Sequence, residues 1–265
     1  MGVSAEAEEK FEIKVVSFTE KWHSKPYPSI SPTRPELDAT GQNVVITGGG
    51  GGIGKAIAIA FAQAGAASIS IIGRKLERLE EAAAEIADAA SLDGPFKGRI
   101  ITEAGDISKR DSIEGAVNRI YKKVGEIHVF VANAAYLPTT HKVQGFDLDA
   151  FRRGLDINIM GAFNSIQAFL PRASQHRATL INVSSAAAHI QPLDGLIGYA
   201  TSKIAVVKMF DYVAADHPHI HVVSLQPGVI ETQIGRESGR VGQDERRFHS
   251  EHSQSPLRHG NTNTS

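Results

Sequence analysis

Tyr199 and Lys203 stand four residues apart in the run Tyr199-Ala200-Thr201-Ser202-Lys203. In a helix that spacing puts both side chains on one face, a turn apart. A free phenol ionises near pH ~10, so a lone tyrosine is a poor acid or base at neutral pH. A cation one turn away stabilises the phenolate and lowers that value. The pair has the composition to give a proton to an oxygen atom, or to take one from it. Ser184 and Ser185 add two hydroxyls upstream, where an apolar run ends. A tyrosine–lysine pair on a helix surface is common, so its meaning depends on what precedes it.

A second chemical signal lies near the front of the chain. Thr47-Gly48-Gly49-Gly50-Gly51-Gly52-Ile53-Gly54 follows the apolar run Asn43–Thr47 and opens an apolar stretch to Gly65. Glycines there let the backbone turn tightly and approach a pyrophosphate. The following helix N-terminus offers free N–H groups and partial positive charge to that anion. A glycine pattern alone is weak; between a strand and a helix it has the context that a dinucleotide site requires. A site selective for NAD places a carboxylate at the end of the second strand. Here Gly73 and then Arg74 occupy that place. A guanidinium can pair with a 2′-phosphate, which favours NADP over NAD.

Elements at regular intervals are needed to bring these residues together. Expected strands are Asn43–Thr47, Ser68–Ile72, Ile100–Glu103, His128–Ala132, Thr179–Ser184 and His221–Leu225. Between them, helical periodicity predicts helices over 52–65, 75–90, 109–124, 149–172 and 198–216. The strands are continuous apolar runs, as in a parallel sheet covered on both faces. The alternation predicts an α/β fold, a Rossmann-type doubly wound parallel sheet in a single domain over residues 41–234. Residues 1–40 hold Pro26, Pro28, Pro32 and Pro35, which argue for an extended leader, with Trp22 and Tyr27 as anchors. Residues 235–265 carry only Val241, Phe248 and Leu257 as sizeable apolar side chains. Such a tail buries too little surface to offset its ordering entropy and is expected to be disordered.

Bulk composition narrows the function classes. Of 265 residues 42% are hydrophobic, enough for a sizeable core, and the formal net charge is −1. A charge so near zero gives no basic surplus for nucleic acid. The absence of cysteine excludes disulfides, thiolate metal sites and a cysteine nucleophile. His217, His219 and His221 alternate around Pro218 without an acidic partner, so no metal site is expected there. The first ten residues carry Glu6, Glu8 and Glu9 and no apolar run, unlike a secretory signal. No apolar stretch is long enough to span a bilayer, and a cytoplasmic setting is expected.

The spacing of Thr47, Gly48, Gly52 and Gly54 resembles the short-chain dehydrogenase/reductase family, and further motifs follow in order. Ala132-Asn133-Ala134-Ala135 stands where the family has Asn-Asn-Ala-Gly. Asn158-Ile159-Met160-Gly161 is similar to Asn-Val-x-Gly. Val183-Ser184-Ser185 ends the fifth strand, and Tyr199 and Lys203 match Tyr-x-x-x-Lys. Pro227-Gly228-Val229 follows the sixth strand, with Thr232 shortly after. The resemblance covers residues 41–234.

It implies an NADP-dependent oxidoreductase that interconverts a carbonyl and an alcohol on a small molecule. Tyr199 is then the acid–base, and Lys203 tunes it and holds the nicotinamide ribose. Ser185, the second of its pair, binds the substrate oxygen, while Ser184 serves the backbone. Asn158 holds the long helix open around a water that relays protons to Lys203. Gly48, Gly52, Ile53, Gly54, Arg74, Asp106, Asn133, Val229 and Thr232 join Tyr199 and Lys203 in the cofactor contacts. Asp106 is also placed to cap the helix that follows it. The family often has a second basic residue in the glycine turn; here that position is Gly51.

A homodimer or homotetramer is also implied. Tyr136–Thr140 and Ala186–Ile197 are mostly small or apolar, pointing to a lipophilic substrate. The leader is similar in style to fungal members, some of which act in secondary metabolism. Beyond Thr232 the family's lid, last helix and seventh strand are not recognisable. The expectation is a missing seventh strand, with an alternative function as a cofactor-binding relative of little or no turnover.

Overall fold

The computed structural model describes residues 23, 26–91, 96–138, 141–228 and 230. Six strands form one sheet: β1 (Asn43–Thr47), β2 (Ser68–Gly73), β3 (Arg99–Ala104), β4 (Val129–Ala132), β5 (Ala178–Val183) and β6 (Ile220–Leu225). Their order is β3-β2-β1-β4-β5-β6, and every neighbouring pair is parallel. The helices are α1 (Gly52–Gln63), α2 (Leu76–Ala90), α3 (Arg110–Val124), α4 (Leu148–Leu155), α5 (Gly161–Phe169) and α6 (Ile197–Asp216). This is the Rossmann-type arrangement anticipated above.

Both sheet faces are covered, which explains the unbroken apolar strands. On one face Val45, Phe130 and Leu180 pack with Ile113 and Ile120 of α3, Phe169 of α5 and Phe210 of α6. On the other, Val44, Ile46, Ile69 and Ile71 pack with Ala58 of α1 and Leu79 and Ile86 of α2. Alternate residues of β1 serve opposite cores, as a period of two requires. At the β3 edge, Glu103 is 7% exposed and pairs with Arg119 Nε and Lys123 Nζ of α3, each at 2.7 Å. Burial pushes its carboxyl up, but bonds from Lys123 and Arg119 outweigh this and the net shift is downward. The pairs fasten α3 to the sheet edge.

Strand order reverses beside β1, which lies between β2 and β4. Open α/β sheets bind ligands at such a switch point, outside the carboxyl ends of the strands. Gly48 leaves β1 there, and Asn133 leaves β4.

Two expectations are corrected. The stretch 149–172 is not one helix: α4 passes into a π turn at Asp156–Met160, then α5, then a 3-10 turn at Leu170–Arg172. The π turn inserts one residue, with the Gly161 N–H reaching Asp156 O, and hydrophobic periodicity barely registers a single insertion. The described part of the leader is not simply extended: Pro28–Ile30 and Pro35–Leu37 form 3-10 turns. Proline forbids helix interiors but favours first-turn positions, and here each proline opens its turn. Tyr27 stacks on His23 at 3.8 Å between ring centres. Trp22, the tail 235–265 and the region of a seventh strand lie outside the described residues.

Candidate active site

The glycine turn is enforced by close packing. Gly48 has φ +70, and a Cβ on it would lie 2.8 Å from Asn133 Nδ2. A Cβ on Gly54 would lie 2.4 Å from the Gly48 carbonyl oxygen, a backbone atom that cannot step aside. Gly51, just before α1, has no atom within 4 Å of such a Cβ, so the turn is packed inside and open outside. Gly52 and Ile53 open α1, and the first N–H groups of a helix have no intrahelical partner. A close-packed turn with an open outer side fits a pyrophosphate. Ala at an exposed helix interior would stabilise by about 1 kcal/mol over Gly. Gly54→Ala should instead destabilise by about 2 kcal/mol, because overpacking wins. A thermal melt checks this; a raised Tm would contradict it.

Asn133 binds the two halves of the sheet together. Its Nδ2 donates to Thr47 O at 2.9 Å and to Gly48 O at 3.3 Å. Thr47 Oγ1 answers from the other side, accepting the Asn133 and Ala134 N–H groups at 3.1 Å each. The sequence places Thr47 in the glycine-turn spacing, but its hydroxyl's grip on β4 needs the fold. Asp106 is half-buried and turns back on its own loop: Oδ1 accepts from Ser108 N at 3.0 Å and Ser108 Oγ at 2.7 Å. It does not cap α3, whose N-cap is Lys109 without a side-chain bond. Arg74 is exposed, one residue beyond β2. Val229 and Thr232 lie outside the described residues.

Tyr199, Lys203 and Ser185 meet beyond β5. Tyr199 and Lys203 share one face of α6, with the Lys203 Nζ 5.6 Å from the centre of the Tyr199 ring. Ser185 follows β5, starts a short 3-10 turn by accepting from Ala187 N, and its hydroxyl acts to lower the Tyr199 phenol. Lys203 is 6% exposed and donates to Val183 O at 2.9 Å. Burial lowers its ammonium from 10.5 to about 8. Burial also raises the Tyr199 phenol, and the Ser185 hydroxyl only partly offsets this. The Lys203 ammonium faces the Val183 carbonyl and the Tyr199 ring, and burial is the largest influence on both groups. Ser184 differs from expectation. Its N–H donates to Leu225 O at 2.8 Å, but its buried hydroxyl has no partner among the described residues.

Asn158 sits in the π turn and is 4% exposed. Its Oδ1 accepts from Tyr136 N at 2.7 Å, and its Nδ2 donates to Tyr136 O at 2.8 Å and Ser202 Oγ at 2.9 Å. Behind the pair lies a cavity of about 10 Å³ lined by Thr47, Asn158, Asn182 and Lys203 among others. That is room for about one water, among groups able to bond it. Asn182 is 2% exposed, and its Nδ2 donates to Ser224 Oγ at 3.2 Å. Among the described residues no His, Asp and Glu group could hold a metal, and no helix is long and apolar enough to cross a membrane.

Comparison with known proteins agrees with this geometry. Residues 42–241 match the short chain dehydrogenase family. Short chain dehydrogenase/reductase AacuD of Aspergillus aculeatus is 30% identical over 219 residues, covering 81% of this chain and 72% of that protein. Levodione reductase superposes with a TM-score of 0.71 at 25% identity, covering 81% of this chain and 82% of its own. NAD+-bound xylitol dehydrogenase gives a TM-score of 0.66 at 27% identity, over 71% of this chain and 70% of its own. The chain belongs to the short chain dehydrogenase family, NAD(P)-dependent oxidoreductases of carbonyl and alcohol groups.

Proposed function

We propose that this chain is an NADP-dependent oxidoreductase that interconverts a carbonyl and an alcohol on a small lipophilic molecule. The observation that carries the reading is the placing of the Tyr199 ring beside buried Lys203, one turn apart on α6. Gly48, Gly52, Ile53 and Gly54 would hold the pyrophosphate at the α1 N-terminus, with Asn133 fixing the turn. Asp106 would contact the adenine end, Lys203 the nicotinamide ribose, and Val229 and Thr232 the nicotinamide end. The bound nicotinamide supplies or accepts the hydride.

This chain's residues do the rest. Ser185 donates a hydrogen bond to the substrate oxygen and fixes its distance from Tyr199. Tyr199 gives its hydroxyl proton to that oxygen in reduction and takes it back in oxidation. Burial raises the phenol, so at neutral pH it carries the proton that reduction requires. Lys203, with a pKa near 8, is poised to lose and regain a proton, and the one-water cavity beside Asn158 offers a route for it. We place the enzyme in the cytoplasm as a homodimer or homotetramer.

Arg74 supports NADP: it is exposed one residue beyond β2, whose last residue is Gly73 and not a carboxylate. A guanidinium–phosphate contact contributes about 1.5–3 kcal/mol. Arg74→Ala should raise the NADPH dissociation constant about tenfold or more and leave NADH binding almost unchanged. Equal losses for both cofactors would refute the 2′-phosphate assignment. NADPH oxidation at 340 nm against a panel of aromatic and aliphatic ketones tests the function itself. Turnover that is confined to charged, polar carbonyls would overturn the lipophilic assignment.

A further inference from the structure

Ser202 is completely buried and separates Tyr199 from Lys203 on α6. Its Oγ donates to the Tyr199 carbonyl oxygen at 2.7 Å and accepts from Asn158 Nδ2 at 2.9 Å. The first bond alone would be unremarkable, because a helical serine commonly satisfies itself on the preceding turn. Ser165 in α5 does that, bonding Gly161 O at 2.7 Å. Ser202 adds a second bond, and its partner comes from a different element. Asn158 in turn grips both backbone polar groups of Tyr136, in the segment after β4. One line of hydrogen bonds thus runs from that segment through the π turn to the backbone of the tyrosine.

We infer that Ser202 is a positioning residue for proton transfer, which fixes the first turn of α6 against Asn158 so that the Tyr199 hydroxyl stays in register with Ser185. The inference rests on Tyr199 being the acid–base. The phenol oxygen stands at the far end of a long side chain, so a small rotation at its Cα sweeps the hydroxyl widely. A displacement of ~1 Å at a reacting group can cost ~10²-fold in rate. Ser202 touches neither substrate nor cofactor in this scheme. Its loss should appear in kcat and in the titration of the phenol, and not in cofactor binding.

The test is steady-state carbonyl reduction by the full chain as Ser202→Ala, Ser202→Cys and Ser202→Thr beside wild type. Fluorescence titration of NADPH and a pH profile accompany each. In Ser202→Ala we expect kcat to fall about tenfold or more with NADPH affinity preserved. The alkaline limb should move to higher pH, because the influence of Ser185 that holds the phenol down is weakened. Ser202→Thr, which keeps the hydroxyl, should restore most of the rate. If the alanine chain does not fold, Ser202→Cys carries the comparison, since sulfur is a weak partner of similar size. Unchanged kcat in Ser202→Ala overturns the inference while leaving the acid–base reading intact. So does a loss shared equally by kcat and cofactor affinity with an unmoved pH limb. An inactive wild type overturns the acid–base reading, and this inference with it.

Discussion

Tyr199→Phe should lower kcat for carbonyl reduction by about 10³-fold, within the range for losing a general acid. The substitution deletes one oxygen and keeps the ring. That ring is half-buried and lies under the Lys203 ammonium, so packing and the contact at 5.6 Å both survive. NADPH affinity should hold, because no proposed cofactor contact uses the phenol oxygen alone. Ser185 keeps Ala187 N, so its hydroxyl stays near the site. The expected signature is a fall in kcat with the fluorescence titration unchanged. Retained turnover would remove Tyr199 from the mechanism.

Lys203→Met should separate stability from function. The lysine is buried with a pKa near 8, well below its unfolded value near 10.5. Below pH 8 the ammonium is charged in both states, and the folded chain bears the full cost of burying it. Between pH 8 and 10.5 the unfolded chain binds more protons, so stability rises with pH in that window. Methionine removes the charge and nearly preserves the volume, while Val183 O loses a donor worth about 1 kcal/mol. At pH 7 the variant should be at least as stable as wild type, by on the order of 1 kcal/mol, and its stability should lose the rise above pH 8. Turnover should fall by about 10²–10³-fold, as expected for removing a preorganised electrostatic partner. NADPH should also bind more weakly. Urea unfolding at pH 7 and pH 10 checks the first half; a variant clearly less stable at pH 7 would contradict it.

How much of this was readable from residues alone differs by interaction type. The strands were, because a sheet covered on both faces writes apolar runs such as Asn43–Thr47 directly into the chain. The glycine turn was too, since atoms at 2.4 Å leave Gly54 no substitute. The π turn was not: one inserted residue leaves Ile157, Gly161 and Ile166 in an acceptable helical pattern, yet it turns Asn158 inward onto Tyr136. Ser202 was hidden inside a motif whose ends drew the attention, and its role needs Asn158, 44 residues away. Spacing gives proximity but not depth, so the burial that raises the Tyr199 phenol was not legible. Lys203 does lie one turn away, but burial dominates both groups.

Every role assigned to Tyr199, Ser185 and Lys203 requires a nicotinamide beside them. The direct measurement is a fluorescence titration of the purified chain with NADPH and, separately, with NADH, followed by addition of a lipophilic ketone. The account predicts saturable binding of one NADPH per chain, NADH at least about tenfold weaker as for one lost phosphate contact, and decay of the bound signal once ketone is added. No saturable binding of either nucleotide would contradict it at its centre.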